Sequence, residues 1–315
     1  MRRVGRRGVG WATWASCLCA CLCRPLRAAP ALTATAANVR NETRVCRWQG
    51  TPLWWMKAPK TSSTFGNILA RAACPGIQLR KAQREFGPTL LQGCKSHGKV
   101  GRLKPGHLPL PHSFKTPMTI VSIFREPKSR TVSGYHHNLH DCRALQHEYG
   151  IDEWRDVGLL KDEAKRRLVY GREGVNPYVL RRYAACVGAC QTRMLLGSGC
   201  GDDRYLGVKL NASLLKLDPP VIPRDVQRAV SLVQNSFAFV GTTDLFRESV
   251  RAFGVFAGVP VQPEFDYVNT RPSWAGPRAK ALGMAALADT VLLDSFVYRA
   301  AQQRLAAFSR DCQPD

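Results

Sequence analysis

Residues 57–67 read KAPKTSSTFGN, a lysine set among hydroxyls directly after the apolar patch PLWWM. A lysine beside hydroxyls and the N–H groups of a helix start suits a phosphate or a similar anion. The spacing is not G-x-x-x-x-G-K-[ST], so the loop lacks the glycines that wrap a nucleoside triphosphate. Its plain structural alternative is a helix N-cap with a surface lysine. A second cation, Arg125, stands where the apolar run MTIVSIF (118–124) gives way to Arg125-Glu126-Pro127. There the alternative is a salt bridge from Arg125 to Glu126 or another acid. Further on, HHNLH at 136–140 sets His136 and His140 one helical turn apart, with His137 between them. A zinc protease needs H-E-x-x-H, so contact with a bound molecule or plain surface fits better than a metal. No C-x-x-C pair occurs among the twelve cysteines, so a zinc framework is not expected either.

The charge says what such residues would hold. The chain has 46 Lys and Arg against 23 Asp and Glu, a formal net charge of +23. Eight arginines and one glutamate fall in residues 1–46, which leaves +16 on residues 47–315. A body this basic implies nucleic acid, an acidic membrane or an acidic polysaccharide. The N-terminus narrows that choice. MRRVGRRGVG supplies Arg2, Arg3, Arg6 and Arg7; residues 9–23 are uncharged; Arg24 and then AAPALTATAA follow. This is a secretory layout, with an A-x-A cleavage site near residues 34–36. The run is short of the ~20 residues of a membrane span, yet it suits a type II anchor in a thin early-secretory membrane. The expectation is a single-pass protein of the Golgi lumen, held to the membrane by that anchor, or a secreted one after cleavage. A mitochondrial presequence fits the arginines but not the long uncharged run.

Sequons at Asn41 and Asn211 point the same way. So do eight cysteines beyond the run, at 46, 74, 94, 142, 186, 190, 200 and 312, an even number suited to disulfides. Cys186, Cys190 and Cys200 lie close enough for a local bridge, though pairing does not follow from spacing. Lumenal entry removes nucleic acid as a partner and leaves the polysaccharide. The oligomeric state does not follow from these residues.

Elements able to position the two cations follow from periodicity. Residues 1–46 read as signal or anchor plus stem, and 47–315 as one folded body. A buried strand is expected at 53–56 and a helix at 63–74, where Phe65, Ile68, Leu69 and Ala72 recur at helical spacing. Residues 87–117, rich in Gly, Pro, Lys and His, read as loop. The strongest strand is 118–124, followed by helices at 128–140, 152–170, 176–197 and 224–234. A strand at 237–240 leads into a helix at 244–256, and a long amphipathic helix is expected at 284–308. Strands alternating with helices predict an α/β domain with a parallel sheet.

Three segments then carry a resemblance. PKTSST at 59–64 resembles the 5′-phosphosulfate loop of the Golgi carbohydrate sulfotransferases, and FREPKSRTVSGY at 124–135 resembles their 3′-phosphate motif. FVGTTDLFRESV at 239–250 is similar to their late V-G-x-T-E-x-F segment, with Asp244 where Glu is frequent, and QTRMLLG at 191–197 to a mid-domain segment. The likeness spans about residues 50–300 and is closest in style to the heparan sulfate 2-O-sulfotransferase branch. It implies the sulfotransferase fold, a P-loop-like parallel sheet flanked by helices. It also implies 3′-phosphoadenosine 5′-phosphosulfate (PAPS) as co-substrate and an acidic polysaccharide or glycan as acceptor.

The chemistry agrees with the missing glycines. Sulfuryl transfer, like phosphoryl transfer, has a loose in-line transition state with charge on the leaving oxygen. It needs a fixed cation there and donors on the equatorial oxygens. Lys60 would be that cation, with Thr61, Ser62, Ser63 and Thr64 as donors and Lys57 as a further basic contact. PAPS carries one 5′-phosphosulfate, so a shorter loop suffices and no metal is required. The resemblance gives Arg125 and Ser133 to the 3′-phosphate, and Thr270 and Arg271 of VNTRPSW (268–274) to a loop over the nucleotide. The acceptor hydroxyl needs a base near neutral pH, which suits histidine. SHGKVGRLKPGHLPLPHSF at 96–114 offers His107, the expected base, with His97 and His112 as alternatives and Glu85 as the carboxylate alternative. The basic stretch 161–182 could line an acceptor groove or be a solvated helix face. Two rival functions stand beside the enzyme: a secreted polyanion-binding protein without catalysis, and a P-loop kinase or NTPase.

Overall fold

A computed structural model of the chain describes residues 46–48, 54–56, 60–61, 65, 109–110, 120–151, 162–201, 223–259, 275–290 and 292–312. Three strands, β1 (Trp54–Met56), β2 (Ile120–Phe124) and β3 (Phe237–Thr242), form a parallel sheet in the order β1-β2-β3. Met56 pairs with Ser122, and Phe124 with Thr242. Parallel strands are covered on both faces and therefore read as unbroken apolar runs. IVSIF and FAFVGT are buried along their whole length.

Nine helices are described: α1 (Pro127–Tyr135), α2 (Arg143–Glu148), α3 (Glu163–Tyr170), α4 (Pro177–Val187), α5 (Cys190–Leu195), α6 (Arg224–Asn235), α7 (Phe246–Ala257), α8 (Pro277–Ala286) and α9 (Asp294–Asp311). Alternation in β2 divides the core between the faces. Val121 and Ile123 join Phe65, Phe239 and the α7 residues Val250, Phe253 and Phe256. Ile120 and Phe124 join Val240, the α6 residues Ala229 and Val233, and Val297 and Ala301 of α9. A third cluster packs α1, α3, α4 and α8 around Tyr135, Tyr170 and Tyr183. At Gly134 of α1 a Cβ would meet the Tyr183 hydroxyl at 2.2 Å, so only glycine lets α1 and α4 approach.

The α/β class and parallel sheet agree with the sequence reading, while several boundaries move. The helix expected at 128–140 stops at Tyr135, and Asn138, Leu139 and Asp141 then take positive φ in a tight turn. The helix expected at 176–197 is two. At Gly188 a Cβ would meet the Ala184 carbonyl at 2.6 Å and Leu292 at 2.9 Å, and a new helix starts beyond it. The single helix expected at 284–308 is α8 and α9, separated by a turn that buries Leu287, Leu292 and Leu293. The strand expected to end at Val240 runs on to Thr242, and α7 starts two residues later than expected, at Phe246.

Disulfides join Cys46 to Cys312, Cys142 to Cys186, and Cys190 to Cys200. The first ties the start of the described body to the end of α9 across 266 residues. The other two brace the helices beside α1; Arg193 donates from Nη1 to the carbonyls of both Cys186 and Cys200, each at 2.8 Å. Among the described residues no helix is long and apolar enough to cross a membrane. The uncharged run 9–23, the helix expected at 63–74 apart from Phe65, most of the loop 87–117, and Cys74 and Cys94 lie outside the described residues.

Candidate functional site

Parallel strands deliver their carboxyl ends to one edge of the sheet, where ligands of open α/β folds bind. Three segments meet there: Lys60 and Thr61 after β1, Arg125 after β2, and Thr243 and Asp244 after β3. Thr243 donates its N–H to the Phe124 carbonyl at 2.9 Å, which extends the β3 to β2 contact past the strands.

Lys60 and Arg125 are bonded to each other. The Arg125 Nη1 donates to the Lys60 carbonyl at 3.1 Å. Lys60 has φ 60°, a left-handed backbone in which a non-glycine residue is strained by about 1–2 kcal/mol. Thr61 beside it is buried, and Phe65 is sealed in the core against Phe239 and Phe253.

Arg125 is fixed along its length. Its backbone N–H donates to Oε1 of Gln191, and Nε2 of Gln191 donates back to its carbonyl, both at 3.0 Å. Its Nε and Nη2 donate to the Ser129 hydroxyl at 3.3 and 3.1 Å. A guanidinium has five N–H groups, so two of them make no hydrogen bond among the described residues. The expected alternative partner does not take them. Glu126 turns its carboxylate to the α1 start instead, accepting from the N–H groups of Lys128 and Ser129. Burial lowers the Arg125 pKa, the nearby Arg130 charge adds to this, and Glu126 opposes it. The guanidinium stays charged. A half-buried cation near another cation, with two N–H groups that make no hydrogen bond and no carboxylate bonded to it among the described residues, can hold an anion.

The Gln191 clamp has its own anchor. Asp294, fully buried at the start of α9, accepts from the N–H of Gln191 at 2.9 Å and from the N–H and hydroxyl of Thr192 at 2.8 and 2.9 Å. It also lies 3.5 Å from Nη2 of the buried Arg130. Burial pushes the Asp294 carboxyl above its ordinary range, and the Arg130 charge and these hydrogen bonds oppose the shift. The carboxylate satisfies the first N–H groups of α5, which is why a helix restarts after Gly188.

At the third strand end, Gln302 donates to Asp244 at 3.5 Å and to the Tyr298 hydroxyl at 3.2 Å. Burial, then the charges of Asp244 and Glu126, push the Tyr298 hydroxyl far up, so it stays protonated. Leu110 donates its N–H to the Met194 carbonyl of α5 at 2.9 Å, three residues beyond His107.

Of the expected residues, the structure brings Lys60, Thr61 and Arg125 to one edge. Ser133 lies on α1, half-buried, one turn beyond Ser129, and it is Ser129 that Arg125 reaches. Lys57, Ser62, Ser63, Thr64, Thr270, Arg271, His107, His97, His112 and Glu85 lie outside the described residues. The HHNLH turn belongs to the far end of α1. His136 is buried with Nε2 2.9 Å from the Gly174 carbonyl, and no metal-binding group occurs among the described residues. Ser129, Gln191 and Asp294 were not singled out from sequence. Ser129 could have been, as the hydroxyl one helical turn after a strand-end arginine. Gln191 opens the QTRMLLG segment but nothing there marks it as a clamp on Arg125, and Asp294 carries no local sign. No protein-family model, no curated protein and no solved structure matches this chain.

Proposed function

We propose that this chain is a PAPS-dependent carbohydrate sulfotransferase with the sulfotransferase fold, lumenal and held by its N-terminal anchor, acting on a hydroxyl of an acidic polysaccharide or glycan. The observation that carries the reading is the bond between the two predicted anion motifs. The Arg125 guanidinium rests on the Lys60 carbonyl, and two of its N–H groups make no hydrogen bond among the described residues. A single ligand with anionic groups at both ends of an adenosine meets both motifs at once. Lys60 serves the 5′-phosphosulfate, with the hydroxyls of 61–64; Arg125 serves the 3′-phosphate, with the serines of α1.

The transfer balances without a metal. The bond from sulfur to the 5′-phosphate oxygen breaks, and the Lys60 ammonium stabilises the charge left on that oxygen. The acceptor oxygen bonds to sulfur in line as His107, or His97, His112 or Glu85 in its stead, takes the hydroxyl proton. Adenosine 3′,5′-bisphosphate departs. Three disulfides suit the oxidising lumen this reading requires.

The test is isothermal titration with adenosine 3′,5′-bisphosphate against ADP, followed by transfer from radiolabelled PAPS to desulfated polysaccharides. Preference for the 3′-phosphorylated nucleotide supports the reading, and ATP or ADP binding more tightly overturns it. The net charge of +23 favours one rival, a polyanion binder without catalysis. That rival predicts heparin retention with no nucleotide heat.

A further inference from the structure

Away from the sheet edge, a recess of about 350 Å³ opens at the C-terminal end of α3. Arg166, Arg167 and Arg172 line it, with Glu163, Tyr170 and the backbone of Gly171 and Gly174. Glu163 pairs with both Arg166 and Arg167, the latter at 2.8 Å. Arg172 lies past the helix end, exposed, and makes no ion pair or hydrogen bond among the described residues. Three arginines against one carboxylate leave the recess cationic. A helix C-terminus favours cations, which accounts for Arg167 in the last turn. It does not account for Arg172, nor for three guanidinium groups around one concave volume of ligand size.

The recess has a definite relation to the sheet edge. Arg125 lies just before helix α1 and Ser129 in its first turn, and just past its end His136 is 2.9 Å from the carbonyl of Gly174, which lines the recess. Nine residues of helix span about 14 Å. Cations lie beside that path: Lys128 bonds the Ala288 carbonyl, and the charge of Lys280 on α8 is felt by His136.

We propose that this recess is a second binding site, a subsite for one anionic sugar unit, carrying carboxylate or sulfate, of a polysaccharide whose reacting hydroxyl lies at the sheet edge. The inference rests on the sulfotransferase reading for the identity of the chain but not for the binding itself. A recess fits a single ring of a flexible chain, whereas a duplex or a bilayer would call for a broad flat face. Arg172 and Arg166 grip the anionic substituent, and the distance along α1 sets how many sugar units separate it from the unit sulfated.

The experiment uses the full chain and a size-defined heparin oligosaccharide. Arg172→Ala and the double variant Arg166→Ala/Arg172→Ala are compared with Arg224→Ala/Arg228→Ala on α6, which removes the same charge from an exposed face elsewhere. The expected result is a loss of oligosaccharide affinity of about tenfold or more for the recess double variant, about threefold for Arg172→Ala, and less than about twofold for the α6 control. Adenosine 3′,5′-bisphosphate affinity stays unchanged in all of them. Equal losses in recess and control variants would overturn the subsite while leaving the enzyme reading intact. Selective loss in a protein that binds no adenosine bisphosphate would sustain the subsite and sink the enzyme. An equally selective loss of binding to duplex DNA or to vesicles of anionic lipid would show a general polyanion patch and overturn the sugar assignment.

Discussion

The two ends of α1 hold the densest polar chemistry described in the molecule, and they differ in how much of it is used up. At the start, Arg125 is half-buried and, among the described residues, lacks a carboxylate partner and has two N–H groups that make no hydrogen bond. At the end, the hydroxyls and one ring nitrogen of a richer collection are taken up by bonds within the fold, while Nδ1 of His136, His137 and His140 makes no hydrogen bond among the described residues. The Tyr135 hydroxyl donates to the Val169 carbonyl and accepts from the Asn176 N–H, the Tyr170 hydroxyl bonds Asn138, and His136 bonds Gly174. The Cys142–Cys186 bridge then fastens the turn to α4. Three histidines at one turn look more catalytic in sequence than one arginine does. A fixed cation with no carboxylate partner among the described residues suits an anion better than a cluster of titratable rings does.

The contrast fails first if the α1 start is not held rigid from below. Asp294→Ala removes the carboxylate shared by Arg130, Gln191 and Thr192. Breaking a buried pair by deleting one partner costs about 3–5 kcal/mol. Urea titration of Asp294→Ala should show that loss, and a shift below about 1 kcal/mol would mean the network does not support the site. The next effect is on chemistry and leaves the fold intact. Arg125→Ala and Lys60→Ala should each lower transfer by about 10²–10³-fold, the range for deleting a donor at a developing charge. Each purified variant should melt within a few degrees of the parent. Near-normal transfer in either would remove the basis for a site at the sheet edge.

The sheet was legible because burial on both faces forces unbroken apolar runs, and MTIVSIF and FAFV show it plainly. The cations at the strand ends were legible because a strand that stops on Lys or Arg beside a helix start is a local pattern. What supports them was not. Gln191 and Asp294 are 103 residues apart, so neither the break at Gly188 nor the restart of α5 is encoded near itself. The early stop of α1 is equally distant in origin: Tyr135 bonds residues 34 and 41 positions away, and a disulfide reaches 44. The resemblance gives Ser133 to the 3′-phosphate, whereas the hydroxyl that Arg125 reaches is that of Ser129, one turn earlier.

The far end of α1 predicts a pH effect on stability instead of activity. Burial depresses His136 below its ordinary 6.5, against the opposing Gly174 carbonyl. The folded chain therefore holds fewer protons at this ring than the unfolded chain does. Its contribution is complete above pH 6.5 and declines as pH falls from 6.5 toward the lowered value, by up to about 1.4 kcal/mol per pH unit. His136→Gln keeps an N–H donor for Gly174 without a titrating ring. Its denaturation midpoint should depend less on pH between 7 and 5 than the parent's. Parallel curves for the two proteins would show that the ring is not held neutral.

The smallest effect separates strain from chemistry at a single position. Lys60 is the one described residue at the sheet edge with a left-handed backbone, and its carbonyl is the one Arg125 grips. An alanine there keeps the backbone penalty and loses the ammonium, whereas glycine loses both, because it reaches positive φ without a Cβ clash. Lys60→Gly should therefore be more stable than Lys60→Ala by about 0.5–1 kcal/mol, after its larger unfolded-state entropy is allowed for. Both should be equally impaired in nucleotide binding. If the two variants melt together, the backbone at Lys60 is not strained in solution. If instead glycine keeps the affinity that alanine loses, the carbonyl contact with Arg125 matters to the ligand and the ammonium does not, which would move the anion site from the β1 loop to Arg125 alone.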